Sequence, residues 1–246
     1  MVGMITDVGN VRKTNEDYLS YHLDENNAIY VVADGMGGHN AGEVASKMAV
    51  ESIIENIKSK ESKANGEDLI EAIKEANKKV YEYSLGTSNL NGMGTTVTAC
   101  LVQGNKAWVG NVGDSSLFIV EDNLIYKLTK DHSLVQELVD DGSITEKEAL
   151  SHPNKNIITR AVGTDDKVEV DLYEVDLTDE VKHIVLCTDG LSNEVSKEEI
   201  YDMIKSEKDY MIICEKLIAL AKDRGARDNI SFMIFGGDCY DWNYSR

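Results

Sequence analysis

The sequence predicts an α+β fold in which antiparallel sheets are covered by helices. Three observations lead there. Strand-like and helix-like segments come in blocks, not in the strict alternation of a parallel sheet. The β-rich runs in the middle of the chain are separated by turn signals too short for a crossover helix. A single proline, Pro153, and the lack of any Pro-, Ser- or Gly-rich linker or internal repeat mark no boundary, so residues 1–246 read as one domain.

The elements follow in chain order. Residues 28–33 (AIYVVA) are a short apolar run rich in β-formers, stopped by the turn pair Asp34-Gly35. Over 41–59, Ala41, Ala45, Met48, Ala49, Ile53 and Ile57 recur at helical steps. Leu69, Ile73, Ala76, Val80 and Tyr83 do the same over 67–84. Two amphipathic helices are therefore expected behind the first strand. Runs 95–102, 106–112 and 116–120 are β-rich, with Gln103-Gly104-Asn105 and Glu121-Asp122-Asn123 as hairpin connections, which predicts an antiparallel meander. Helical patterns return over 132–149, where Thr145-x-x-Glu148 is a capping box. Residues 168–177 alternate as a strand, and 183–188 (HIVLCT) read as a buried strand ending at Asp189-Gly190. Ser196-x-x-Glu199 opens a further helix, 209–224 is a long helix with Gly225 as its C′ residue, and 230–235 (ISFMIF) is the last strand.

Composition narrows the function. With 42% hydrophobic and 28% charged residues, wholesale disorder is excluded. The 25 basic and 44 acidic residues leave a net charge of −19. A nucleic-acid duplex needs a basic face, and an anionic membrane surface repels this charge, so neither is expected as a partner. The acidity reads as solubility or as carboxylates gathered for a cation. Cys100, Cys187, Cys214 and Cys239 stand far apart with no C-x-x-C pair, which predicts buried free thiols in a reducing cytosol. No apolar run nears the ~18 residues of a membrane span. Residues 1–10 have neither a basic flank nor a signal-like stretch. A cytoplasmic protein is expected.

Three apolar strands end at an aspartate with a glycine beside it: Asp34 with Gly35, Asp114 with Gly113, and Asp189 with Gly190. Asp228 stands just before the last strand. Taken singly, each reads as a turn residue. In antiparallel sheets, however, strand starts lie beside strand ends, so the four carboxylates gather at one rim. There they repel one another unless cations sit among them. All-oxygen donors select Mg²⁺ or Mn²⁺, and the histidines show no zinc spacing. Two such cations about 3.5–4 Å apart would position a water and clamp an in-line phosphoryl displacement. Arginine is scarce. Arg12, followed by Asn15-Glu16-Asp17, is either a phosphate anchor or a surface arginine paired to Glu16 or Asp17.

At this point the chain resembles the PPM-type (type 2C) metal-dependent Ser/Thr protein phosphatases, in their compact bacterial branch. The matching segments run in family order. They are Asp7-x-Gly9-x-x-Arg12-x-x-Asn15-Glu16-Asp17, Val32-Ala33-Asp34-Gly35-Met36-Gly37-Gly38-His39, Gly42-x-x-Ala45-Ser46 and Gly94-Thr95-Thr96. Then come Gly110-Asn111-Val112-Gly113-Asp114-Ser115, Leu128-Thr129-x-Asp131-His132-Ser133 and Ile158-Thr159-Arg160-Ala161-Val162-Gly163. Cys187-Thr188-Asp189-Gly190-Leu191 and Arg227-Asp228-Asn229-Ile230 complete the series.

The resemblance implies a four-layer α-β-β-α sandwich of two antiparallel sheets flanked by helices, with the metal site at one rim. It implies that Asp34 bridges two Mn²⁺ or Mg²⁺ ions. Asp189 and Asp228 hold the first, and the Gly35 carbonyl helps hold the second. Asp114, with Asp189, holds a third, weaker one. Arg12 matches the phosphate-binding arginine. Glu16 and Asp17 match water-orienting acids, with Asn229 beside them. Residues of about 133–166 match a mobile flap. The implied reaction is hydrolysis of phosphoserine and phosphothreonine in proteins by in-line attack of a metal-bridged hydroxide. The substrates are those of a Ser/Thr protein kinase, and the protein is a monomer.

Two positions depart from the pattern. Met36 stands where some members carry a histidine proposed as general acid, which leaves His39 as a weaker candidate. Ser116 stands where the family commonly has arginine. Residues 137–148 mimic an EF-hand loop, but Val139 occupies a ligand position, so they read as a helix–turn–helix. Two other readings stand beside the leading one: an inactive relative serving as a binding or regulatory module, and a two-metal phosphatase of small metabolites. Retention of Asp34, Asp114, Asp189, Asp228 and Arg12 weighs against the first.

Overall fold

A computed structural model describes residues 1–37, 41–87 and 90–236. One sheet has the strand order β2 (Asp17–Leu23), β3 (Ala28–Met36), β5 (Val97–Gln103), β6 (Lys106–Val112) and β9 (Asp171–Asp176), with β4 (Gly94–Thr95) paired to the end of β3. The other has the order β1 (Val2–Asp7), β11 (Ile230–Gly236), β10 (Val181–Cys187), β7 (Ser116–Glu121) and β8 (Ile125–Lys127). The ladders within both sheets are antiparallel.

The layers follow from how the strands divide their side chains. Alternate residues of β3 face opposite ways: Ile29, Val31 and Ala33 pack under α1 (Ala41–Lys58) and α2 (Gly66–Gly86), while Tyr30 and Val32 face the other sheet. Likewise Phe232 and Ile234 of β11 meet α6 (Lys197–Ser206) and α7 (Tyr210–Asp223), while Met233 and Phe235 point between the sheets. Tyr30 and Phe235 stack across that interface with centroids 3.6 Å apart. Burying a side chain of this class is worth roughly 1.5–3 kcal/mol. Strands covered on both faces read as continuous apolar runs, which is why these were visible in the sequence. The four-layer sandwich is the observed fold.

Several expectations are corrected. Strands β1, β2 and β8 escaped the pattern reading, and two strands precede β3. Both β1 and β2 are edge strands with few fully buried positions, so their sequences mix polar and apolar residues. The expected meander does not exist as one sheet: after β6 the chain crosses at Gly113-Asp114-Ser115, and β7 joins the other sheet. Alternation sets which face a residue takes, not which sheet the strand enters. The run 95–102 breaks at Thr96, whose N–H donates to Asp34 O at 2.8 Å.

The helix signals held. Thr145 and Ser196 form capping boxes, and Gly225 follows the α7 cap with a φ of +127°. Residues 137–148 form the end of α3 (Leu134–Asp140), a turn, and the first residues of α4 (Glu146–Ala149). Cys100, Cys187 and Cys214 are buried and free, and burial pushes the Cys187 thiol up to about 12. Cys239 lies outside the described residues, as does His39. Among the described residues no helix is long and apolar enough to cross a membrane.

Candidate active site

The ends of both sheets meet at one rim. Asp34 sits near the end of β3, and Asp17 opens β2 directly opposite it. Cys187 ends β10, after which Thr188 caps a short helix, α5 (Asp189–Ser192), whose first residue is Asp189. Asp228 stands at the start of β11, the neighbour of β10. Asp114 lies in the crossover from one sheet to the other. The chain is drawn tight here: a Cβ on Gly190 would sit 1.9 Å from Asn229 O, and one on Gly35 would sit 2.1 Å from Gly42 O. Only glycine permits either approach.

This packing concentrates negative charge. Burial, then Asp17, Asp189, Asp114 and Asp228, push the Asp34 carboxyl well above its ordinary range. Burial raises Asp17 to about 7; Thr188 and Ser231 oppose it by hydrogen bonding, and Asp189 and Asp228 add to it. Burial, then Asp189 and Asp131, also raise Asp114 to about 7. Asp189 is raised by burial and by Asp228. Two carboxylate oxygens, Asp17 Oδ1 and Asp189 Oδ1, are buried without a hydrogen-bond partner.

Arg12 is the cation paired directly with a rim aspartate among the described residues. Its Nη2 lies 2.7 Å from Asp228 Oδ2, so its ion pair is with Asp228 and not with Glu16 or Asp17. The side chain stays 50% exposed. Burial works against its charge, but Asp228, then Asp34 and Glu16, outweigh it. Among the described residues no three Asp, Glu, His or Cys side chains are drawn into a ligand shell as they stand. The donor set nevertheless fits a hard divalent cation. It is all oxygen, two of its oxygens lack partners, and the raised pKa values of Asp34, Asp17, Asp114 and Asp189 are what a cation would lower.

The remaining predicted residues divide. Glu16 is raised by burial and accepts from the Gly42 N–H. Asp17 Oδ2 accepts from Thr188 Oγ1 at 2.8 Å. Asn229 is committed to backbone: it accepts from Glu16 N at 2.8 Å and donates to Val8 O and Thr14 O. With both amide hydrogens engaged, it clips the Arg12 loop to the start of β11. Met36 has no proton to donate. Ser116, buried at the start of β7, leaves its hydroxyl unpartnered.

Sequence reasoning missed the residues that hold these aspartates, Thr95 and Thr96 through the Asp34 backbone and Asn193 through the Asp189 carboxylate. Thr96 Oγ1 accepts from Asp34 N at 2.9 Å, and Thr95 Oγ1 donates to Asp34 O at 2.8 Å. Asn193 donates to Asp189 Oδ2 at 3.0 Å and accepts from Lys155 at 3.1 Å. Asp189 and Asn193 are four residues apart in a helical turn, a spacing that could have revealed the pair. A cleft of about 680 Å³ opens on Asp114 and Asp189. Ser133, Gln136 and Val139 line one side of it, and Asn193 and Lys197 another.

Known proteins share this arrangement of sequence and fold. A family model described as protein phosphatase 2C matches residues 10–231. The serine/threonine phosphatase stp of Listeria welshimeri is 38% identical over 234 residues, covering 93% of this chain and 92% of that protein. The crystal structure of serine/threonine phosphatase Stp1 from Staphylococcus aureus superposes with a TM-score of 0.90 at 34% identity, over 96% of this chain and 94% of that one. The catalytic domain of the serine/threonine protein phosphatase PstP, solved with two manganese ions, superposes with a TM-score of 0.83 at 32% identity, over 95% and 96% of the two chains.

Proposed function

The chain belongs to the protein phosphatase 2C family and is a metal-dependent serine/threonine protein phosphatase; from that premise we propose which residues carry the reaction. The observation that supports the assignment is the rim itself, where carboxylates from both sheets are brought together and burial first, then mutual repulsion, raises their pKa. Asp34 would reach two cations, Asp189 and Asp228 would hold the first, and the Gly35 carbonyl would help hold the second. Asp114 with Asp189 would take a third, weaker one. Mn²⁺ and Mg²⁺ both suit these donors. Bound there, the ions supply Lewis-acid stabilisation of the phosphoryl oxygens and an activated water.

The chain's own groups do the rest. Arg12 anchors the phosphate: among the described residues only its Nη2 is engaged, so the rest of the planar fork can take two parallel bonds. Asp17, with its unpartnered Oδ1, and Glu16 orient water. Thr95 and Thr96 hold Asp34 in line, and Asn193 holds Asp189. Because Met36 carries no acidic proton, the leaving alkoxide takes its proton from water at the half-exposed rim. Residues of about 133–166 form a flap beside the 680 Å³ cleft, where the phosphoprotein docks.

The wider setting belongs to the same reading. The protein is a cytoplasmic monomer that removes phosphate placed by a Ser/Thr protein kinase and has no nucleic-acid or membrane partner. The net charge of −19 supports the last of these, since it opposes binding to nucleic acid and to anionic membranes. The decisive experiment compares a phosphothreonine peptide with sugar phosphates, in Mn²⁺ and in EDTA. Turnover of the peptide alone, abolished by EDTA, is the expected result. Preference for sugar phosphates would overturn the substrate class, and no turnover of either would revive the inactive-relative reading.

A further inference from the structure

We propose that His132 is a positioning residue that locks the Gly113-Asp114 turn to the base of the 133–166 segment, so that the two move as one body. His132 is 8% exposed. Its backbone N–H donates to Gly113 O at 3.0 Å, and the Gly113 N–H donates back to His132 Nδ1 at 3.0 Å. In the second bond Nδ1 accepts, which leaves Nε2 to face the Arg160–Asp171 ion pair. Nε2 lies 2.9 Å from Arg160 Nη1 and 3.2 Å from Asp171 Oδ2, and the same Arg160 Nη1 lies 2.6 Å from the other oxygen of that carboxylate. The ring is therefore held at both ends, between the turn and β9.

The same residue closes the base of the segment. His132 O accepts from Thr159 N at 2.8 Å, Ser133 bridges to Ile158, and Leu134 N donates to Ile157 O at 2.9 Å. Gly113 has a φ of +104°, and a Cβ on it would sit 2.6 Å from the Thr96 side chain. The turn is thus pressed against the Asp34 side of the rim, and its bonds to His132 set where the next residue, Asp114, points. The inference rests on the reading of Asp114 as a ligand of the third, weaker cation. It adds reciprocity: displacing the segment re-aims Asp114, and a cation on Asp114 stiffens the segment.

Two near-isosteric variants separate the ring's roles. In His132→Asn the amide oxygen reaches the place of Nδ1 and keeps the bond to Gly113. In His132→Gln the amide reaches the place of Nε2, which keeps Asp171 and loses Gly113. Exchange of the Gly113 amide, read by NMR in EDTA with no cation present, should quicken by about tenfold or more in the Gln variant and stay within about threefold of wild type in the Asn variant. Calorimetric titration with Mn²⁺ should show the weak site weakened about tenfold or more in the Gln variant, the tighter sites unchanged, and the Asn variant close to wild type. Equal exchange rates and equal Mn²⁺ binding in all three proteins overturn the proposal. So does an equal loss in both variants, which would make the ring mere filling. A wild-type titration without any weak site would instead fail the Asp114 reading, and the Gly113 exchange rates would still decide on His132.

Discussion

Glu199 at the start of α6 and Asp34 at the end of β3 carry the same ionisable group in opposite surroundings. Glu199 receives the Arg224 guanidinium, with Nη1 at 2.8 Å, and both the N–H and the hydroxyl of Ser196. Arg224 first, and then Ser196, bring its carboxyl down to about 2. Around Asp34 burial comes first, and the charged neighbours are four more aspartates. The chain supplies donors where a carboxylate serves a helix start. At the rim it supplies Arg12 on Asp228 and the weaker influence of Lys155 on Asp189 and Lys127 on Asp114, too little for the clustered aspartates, so most of the missing positive charge must come from outside the polypeptide. Unrelieved repulsion of this kind marks a functional position.

The largest effect should follow from Asp34→Ala, which removes the carboxylate proposed to reach two cations. Phosphopeptide turnover should fall by about three powers of ten or more, while metal-free stability should not fall, since repulsion at the rim is relieved. Wild-type turnover in this variant would break the contrast with Glu199. Next, Arg12→Lys keeps the charge but loses the fork. kcat/KM for a phosphopeptide should drop by roughly one to two powers of ten, as a charge-assisted bond is worth about 1.5–3 kcal/mol. Mn²⁺ affinity measured by calorimetry should be nearly unchanged. Unaltered kcat/KM at saturating Mn²⁺ would return Arg12 to the role of a surface ion pair.

The contrast also predicts a pH dependence with a definite sign. Asp17 and Asp114 titrate at about 7 in the folded metal-free protein, against about 4 when unfolded. A carboxyl raised in this way gives its full contribution below the unfolded value and loses it as pH rises through the folded one. In EDTA the melting temperature should therefore fall between about pH 4 and pH 7. Saturating Mn²⁺ should flatten or reverse that fall, because cation binding requires the deprotonated carboxylates. A melting temperature in EDTA that climbs over this range would contradict the rim electrostatics. The smallest effect belongs to the satisfied partner. Ser196→Ala removes the α6 cap and should cost about 1 kcal/mol by chemical denaturation, with kcat and Mn²⁺ affinity untouched.

Much of the site was legible because its parts sit at punctuation. Asp34 and Asp189 follow apolar strands that are buried on both faces, and those runs are the easiest to read. Arg12 was legible as a residue but not as a contact, since Asp228, its partner, lies 216 positions away. The partners of Asn229 were hidden for the same reason: its amide is used on Val8 and Thr14, from the far end of the chain. Edge strands β1 and β2 were invisible because each of their faces mixes polar and apolar residues, whereas β9, also an edge, alternates cleanly and was read.

By itself the sequence determined the local elements and the chemistry available: helix faces and caps, strand ends, and aspartates beside glycines. These depend on neighbours along the chain, where spacing of one to four residues decides the outcome. Only the tertiary structure decided that β6 and β7 part into different sheets, which brings Asp114 to the rim shared by Asp34 and Asp189. It also decided that Arg12 closes on Asp228 and that His132 grips Gly113. Desolvation and Coulomb repulsion act through space between groups of any sequence separation. The pKa values of the rim, and with them its readiness for cations, therefore exist only once the two sheets have packed.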